Sequence, residues 1–380
     1  MRILIVTGIF EPESGGPAVY AAKIAEKLSV AGNTVSVLTY SPKERYDFDA
    51  QYKFSLKRIV RGNKLLNRIK MFFAALSRAR ENDIVYMLDW FAAGLPAALA
   101  SRIRRVPYVV RVGGDYLWEQ KYLESNATPV SLSDFYERGL YARFLYKPFF
   151  WAIRSVLSHA SKVIFNSDTQ QGIYVRFYGL SNTATVYNPV PRLETTGIVR
   201  GMATHEFVYC GRFIVMKNLT ALIRAFAKAR IPADYSLVLI GDGPRWEELA
   251  RLVETLGLKT RVKIQHSMRL PDLLERIKNC RAFILPSWTD ISPNQVYEAL
   301  AIGLPAVVTK ENYLSIHDSL PEMIDPNNVS DLVSKIEMLA DDKRYQKFTD
   351  SFTAIRFNHS WEDVIREHVV IFEGVTKNKI

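Results

Sequence analysis

Cysteine is nearly absent from this 380-residue chain, which has only Cys210 and Cys280. Each sits in or beside a predicted strand of the second half, so they read as buried free thiols of a reducing compartment and not as a disulfide frame. No Cys/His cluster has zinc-ligand spacing. Long apolar runs are missing too. MRILIVTGIF is cut short by Glu11, Pro12 and Glu13 with no small-residue cleavage site after it, which makes it a first strand and not a signal peptide. Ile84 to Ala100 is interrupted by Asp89, Gly94 and Pro96, which argues against a spanning helix. The first strand is not followed by G-x-G-x-x-G, so a dehydrogenase is disfavoured. No recognition-helix motif or aromatic platform supports nucleic-acid binding, despite a pI of 9.4.

What is present is enough for two cores. At 380 residues with 48% apolar content, two domains of roughly 150 to 200 residues are expected. Continuous apolar strands alternate with amphipathic helices throughout, the pattern of parallel α/β sheets. RILIVTG, GGPAVYAAKIAEKLSVAG and TVSVLTY form the first β-α-β unit. Gly15 and Gly16 open its helix, either as a plain turn or as backbone that a phosphate can approach closely. DIVYML, PYVVRV, KVIFNS and TATVYNPV are further strands. After PYVVRV comes GGDYLWE, where Asp115 either faces an acceptor or merely caps a turn. The run NPVPRLETTGIVRGMATHE, residues 188 to 206, has little periodicity and reads as the interdomain linker.

Charge is unevenly shared. Residues 1 to 195 carry 26 Lys+Arg against 16 Asp+Glu, and the remainder 24 against 23. Nine of the first-half cations fall between residues 51 and 80, where there is no acid. In that stretch Leu65, Ile69, Phe72 and Leu76 form one helical stripe, predicted to pack inward, with Lys64, Arg68 and Arg78 on the opposite side. An aromatic and basic segment follows around Tyr146 to Trp151. The asymmetry suggests an anionic partner for the first half, such as a membrane surface or a phosphate-bearing acceptor.

The second half holds the densest pattern. EFVYCGRF is a strand ending near Arg212, with Lys217 five residues on; SLVLIGDGP is a strand and a glycine turn. FILPSWTDISPNQVYEALAIGLPAVV reads as strand, loop, helix and strand, with Ser292 as N-cap and Pro293 at the first helical position. Asp290 lies in the loop and Glu298 in the helix. The N–H groups of Asn294, Gln295 and Val296 are expected to be unpaired at the positive end of the helix dipole, an arrangement that suits a phosphate.

These three features, in this order and at these distances, resemble the signature of the family 4 retaining glycosyltransferases (glycosyltransferase group 1). The resemblance implies a GT-B fold: two Rossmann-like α/β/α domains facing a central cleft, residues 1–190 on the acceptor side and 191–360 binding the nucleotide sugar, with residues 361–380 returning to the first domain. It implies transfer of a sugar from a UDP- or GDP-sugar to a lipid-linked or polysaccharide acceptor, with no cofactor and no metal. Arg212 and Lys217 would hold the diphosphate, Glu298 the ribose hydroxyls and Asp290 the transferred sugar, while Gly15 and Gly16 would face the donor phosphates. Two departures stand out. Asp290 occupies a position where the family usually has Glu, and Asp115 lies where many members have His. A nucleotide-sugar isomerase and a non-catalytic nucleotide-binding scaffold of the same fold remain alternatives. The expected location is the cytoplasm, peripheral on the inner face of the membrane.

Overall fold

A computed structural model describes all residues except 14, 124–128, 191–199 and 378–380, so most of the expected linker lies outside the described residues. The chain forms two compact units: Met1–Leu117 with Gly139–Tyr187 and Trp361–Ile380, and Trp118–Arg138 with Asn188–Ser360.

The first unit is built on strands β1 (Arg2–Thr7), β2 (Thr34–Ser41), β3 (Ser55–Val60), β4 (Ile84–Met87), β5 (Tyr108–Val112), β6 (Lys162–Phe165) and β7 (Thr183–Thr185). They form one parallel sheet in the order β3-β2-β1-β4-β5-β6-β7, so the order reverses between β1 and β4. Helices α1 (Gly16–Val30), α2 (Lys64–Ala79) and α3 (Gly94–Arg104) supply the crossovers among the first strands. Between β5 and β6 run α4 (Tyr116–Leu123), α5 (Leu132–Glu137) and α6 (Lys147–Ser158), and α7 (Asp168–Tyr178) precedes β7. β3 is hidden in the sequence by its charges. Arg58 in its middle is buried because Asp49 takes Nε and Nη2 at 2.9 and 2.7 Å and the carbonyl of Glu11 accepts at 2.7 Å.

Helix α2 forms where expected but is turned differently. Its buried face is Met71, Ala75 and Ala79, small enough for close approach to α3, while Leu65 is 67%, Ile69 43% and Phe73 62% exposed. Of the stripe that the sequence aims inward, Leu65 and Ile69 are at the surface and Phe72 and Leu76 are half-buried. Asn63 caps the helix by accepting from Leu65 N at 2.9 Å.

The second unit contains β8 (Glu206–Cys210), β9 (Ser236–Ile240), β10 (Val262–Gln265), β11 (Ala282–Leu285), β12 (Ala306–Thr309) and β13 (Met323–Ile324), parallel in the order β10-β9-β8-β11-β12-β13. Its helices are α8 (Leu219–Lys228), α9 (Trp246–Thr255), α10 (Leu270–Ile277), α11 (Asn294–Ala301), α12 (Val329–Ala340) and α13 (Asp342–Thr353). Residues Trp118–Arg138 belong here and not with their neighbours in sequence. The N–H of Leu132 donates to Thr289 Oγ1 at 2.9 Å, and the hydroxyls of Ser133 and Tyr313 share a 2.8 Å hydrogen bond. Cys210 and Cys280 are free and buried, and burial pushes both thiols up.

The last helix, α14 (Trp361–Lys377), returns to the first unit. Val364, Ile365 and Phe372 enter the core beside Ile3, Ile5 and Ile24, and the hydroxyl of Tyr86 on β4 meets Nε2 of His368 at 2.7 Å. Two parallel sheets and this return are what the resemblance to a GT-B fold implies. Among the described residues no helix is long and apolar enough to cross a membrane.

Candidate functional site

In open parallel sheets, ligands bind beyond the carboxyl ends of the strands where the strand order reverses. In the second unit that point lies between β8 and β11. Three segments leave the strand ends around it: Gly211 to Asn218 after β8, Gly241 to Pro244 after β9, and Pro286 to Pro293 after β11.

The first two are pressed together. Gly211 N donates to Ile240 O at 2.9 Å, and Phe213 N to Asp242 O at 2.8 Å. A Cβ on Gly241 would stand 1.8 Å from Gly211 O and one on Gly243 2.5 Å from Phe213 O, so only glycine permits this approach. Asp242 is fixed by His266 Nδ1 at 2.6 Å and by Ser267 N at 3.0 Å, and the hydrogen bonds from His266 and Ser267 hold its carboxyl down at about 2. The His266 ring stacks on Trp246 at 4.3 Å. His266 thus has a structural task in the turn.

The loop after β11 is pinned along its length. Trp288 N donates to Met216 O at 2.9 Å, Asp290 N to Glu311 O at 2.8 Å and Ser292 N to Asn312 O at 3.1 Å. Pinning presents Asp290 to Lys217: the ammonium donates to Asp290 Oδ2, which also accepts from Ser287 Oγ at 3.0 Å. The two side chains are 11% and 12% exposed, so each charge depends on the other. Arg212 is exposed and, among the described residues, paired with no carboxylate.

Helix α11 starts one residue later than its sequence implies. Ser292 takes a left-handed φ of 51°, so the cap passes to Pro293, and Val296 N donates to Pro293 O at 3.1 Å. This corrects the expected triad of donors. Val296 is spent inside the helix, and among the described residues only Asn294 and Gln295 keep their first-turn N–H groups open. Asn188, the first residue of the run read as the linker, steadies this end by donating to Asn294 Oδ1 at 2.8 Å. Glu298 lies one turn on. No group donates to its carboxylate among the described residues, and burial alone pushes it up to about 7.

The remaining predicted site residues belong to the first unit. Gly15 caps α1 with a φ of 130°, and space beside Gly16 is open to 4 Å. Asp115 is corrected more strongly: it is 1% exposed and accepts from Tyr174 Oη at 2.8 Å, which makes it an internal brace and not a group open to an acceptor. Sequence reasoning noted Asp89 only as a break in an apolar run; it lies two residues past β4, at the first unit's own reversal point. Its carboxylate accepts from Phe91 N and Ala92 N at 2.8 and 2.9 Å and from Ala93 N at 3.3 Å, yet burial still raises its pKa.

Comparison with known proteins matches both units. Residues 202–352 match the family model described as glycosyl transferases group 1, and residues 15–191 that of the glycosyl transferase 4-like domain. A lipopolysaccharide core biosynthesis glycosyltransferase of Rhizobium meliloti is 28% identical over 157 residues, 40% of this chain and 44% of that protein. The chain spans about half the length of such curated relatives. Among solved structures, Anabaena HepE in complex with UDP-glucose is 18% identical, with 100% of this chain and 99% of that one covered at a TM-score of 0.71. Sucrose-phosphate synthase of Thermosynechococcus elongatus is 16% identical, with 99% of each chain covered at a TM-score of 0.73. Identities this low speak for the fold.

Proposed function

Starting from a chain that belongs with the group 1 glycosyltransferases and carries their GT-B fold, we propose that it transfers a sugar from a nucleotide-diphosphate sugar to a glycan or lipid-linked acceptor. The observation that carries this reading is the polarity of the β8/β11 corner, where among the described residues Arg212 has no carboxylate partner, two helix N–H groups are open and the desolvated carboxylate of Glu298 has no donor. Each is the complement of one part of a nucleotide sugar. Arg212, a planar fork, and the N–H groups of Asn294 and Gln295 suit the diphosphate. Glu298 suits two ribose hydroxyls, which would donate to the ionised carboxylate and draw its pKa back down. Lys217, held by Asp290, is a positioned charge beside the departing phosphate, and Asp290 keeps acceptor capacity for a sugar hydroxyl.

In the step proposed, the bond from the anomeric carbon to the diphosphate oxygen breaks while the acceptor oxygen bonds to that carbon on the same face. The acceptor's proton passes to the departing diphosphate. The configuration is retained, no protein nucleophile is used, and cationic side chains do the work a metal would otherwise do. UDP-glucose, bound by HepE, is the first donor to try. Turnover is expected to survive EDTA; a strict requirement for added divalent metal would sink the mechanism.

Calorimetry with UDP, GDP and ADP, followed by nucleotide release from the matching donor sugar, tests the reading. Nucleotide binding without release in the presence of any glycan or lipid-linked acceptor would leave a scaffold, and interconversion of the donor alone would reveal an isomerase. For the basic first unit we propose peripheral attachment to an anionic leaflet, where the acceptor resides.

A further inference from the structure

The outward turn of α2 leaves large apolar side chains uncovered. With them lie Leu99 and Ile103 of α3, 52% and 56% exposed, and Trp151 of α6, 51% exposed. Between these helices runs a groove of about 540 Å³, walled by Ile69, Phe72 and Phe73 on one side and by Leu99 and Val156 on the other. That volume is within the range of small-molecule sites, roughly 300 to 1,000 Å³.

A second cavity, of about 670 Å³, meets the groove at Arg102 and Tyr108, which line both. Its character is different. Arg105, His159 and Lys162 join Arg102 there, at the amino ends of β5 and β6, away from the strand ends that carry the reversal point. Among the described residues no carboxylate pairs with Arg102, Arg105 or Lys162. The helices that wall the groove, α2, α3 and α6, hold eight Lys/Arg and no Asp or Glu, while α14, whose Val370, Ile371, Gly374 and Val375 complete the second cavity, carries Glu362, Asp363, Glu367 and Glu373.

An apolar groove that shares Arg102 and Tyr108 with a neighbouring cavity bearing three cations without a carboxylate partner among the described residues has the layout of one kind of molecule. A nucleic acid would leave the groove empty, and an acidic peptide would offer no continuous chain for it. We propose that the two cavities are a single binding site for an anionic phospholipid of the membrane, with an acyl chain in the groove and its phosphate among Arg102, Arg105 and Lys162. Phe73, Leu99 and Trp151 enter the leaflet around it. This deepens the membrane attachment proposed above and rests on it; it is independent of the donor site.

The test uses the full chain and two kinds of probe. Dihexanoyl phosphatidylglycerol below its micelle threshold should bind saturably in calorimetry, tighter than inorganic phosphate by about tenfold or more, since burying roughly two methylenes suffices for that. Vesicles of phosphatidylglycerol should sediment the protein and vesicles of phosphatidylcholine should not. Phe73→Asp with Leu99→Asp should abolish both kinds of binding, and Arg102→Glu with Arg105→Glu should bring the short-chain lipid down to background. Unchanged thermal midpoint and nucleotide affinity in these variants of exposed residues confirm that they fold. Sedimentation of the apolar variant like wild type, or no saturable binding of the short-chain lipid, would overturn the site while leaving charge-driven attachment standing. Failure of wild type to sediment with phosphatidylglycerol at low salt would overturn both. A dimer that the apolar variant converts to monomer would assign the face to a second copy instead.

Discussion

The two sheets reverse their strand order in the same way but equip the reversal differently. At β1/β4 the carboxylate at the strand end, Asp89, is consumed by three backbone N–H groups, and Gly8 packs so close that a Cβ there would stand 2.2 Å from its Oδ2. At β8/β11 the corresponding loop carboxylate, Asp290, meets a side-chain cation from another strand's loop, and donors and an acceptor around it are left open. One corner is finished by its own backbone; at the other, Arg212, two helix N–H groups and Glu298 keep no partner among the described residues. The same topology therefore yields a corner whose polar groups are satisfied locally or one whose groups stay open, and the function proposed above rests on the second.

The largest expected effect falls on the second corner. Lys217→Ala should lower kcat by roughly 100- to 1,000-fold, as deletion of one preorganised donor does. It should also cost about 3 to 5 kcal/mol of stability in denaturant unfolding, because Asp290 would remain buried without its partner. Replacing both residues with apolar ones of similar size should recover much of the stability and none of the turnover. Unfolding of Lys217→Ala at the wild-type denaturant midpoint would show that the two charges do not depend on each other.

Arg212→Ala separates the two roles. Its turnover loss should be of the same order, about 100- to 1,000-fold, yet stability should stay within about 0.5 kcal/mol, since the side chain is exposed and unpaired. A large drop in its thermal midpoint would mean that this cation, too, is structural.

Glu298 gives a pH signature. The folded-state pKa near 7 lies above the ordinary carboxylate value, so the folded chain binds the extra proton between them. The stability from that proton is fully present below about pH 4.3 and is lost as pH rises through 7, by at most about 4 kcal/mol before discount for the surface Glu298 keeps. Glu298→Gln should flatten this dependence. It should also weaken nucleotide binding by about 1.5 to 3 kcal/mol above pH 7, where wild-type affinity should be greatest because the ionised carboxylate is the acceptor. Calorimetry at pH 6 and pH 8 checks both; equal wild-type affinities would remove Glu298 from the ribose.

The smallest effects contrast two glycines. Gly8→Ala should cost about 1 to 3 kcal/mol by forcing Asp89 off its donors. Gly16→Ala, with open space and an ordinary helical start, should be neutral or stabilising by about 0.4 to 1 kcal/mol. If Gly16→Ala leaves turnover unchanged as well, the turn is plain structure.

Strand positions were legible where a strand buried on both faces is an apolar run followed by a crossover helix; β1, with α1 after it, and β4, with α3 after it, both obey. β3 escaped because its central Arg58 is buried only by virtue of Asp49 and Glu11, partners that a local pattern cannot supply. In the site, Arg212, Lys217, Asp290 and Glu298 were readable as residue types at recognisable spacings. The ion pair between Lys217 and Asp290 was not, since it depends on loops from two strands 73 residues apart meeting across the sheet. The donor expected at Val296 failed for a local reason, the left-handed Ser292, which moved the cap by one residue. Asp115 looked like a loop carboxylate because Tyr174, its partner, comes from a helix 59 residues later. The rotation of α2 was misjudged because amphipathicity says which residues share a face and not which face meets the protein.

Helix α14 has a consequence for how the chain is made. Val364, Ile365 and Phe372 fill the core that begins with Ile3 and Ile5, so the opening strands, though translated first, cannot be sealed until the last helix has left the ribosome. The second unit has all its strands and helices in hand by then and can fold as a block while its elder waits with an unfilled seam. In a nascent chain stalled before residue 361, a protease should therefore cut within the first unit while sparing the second.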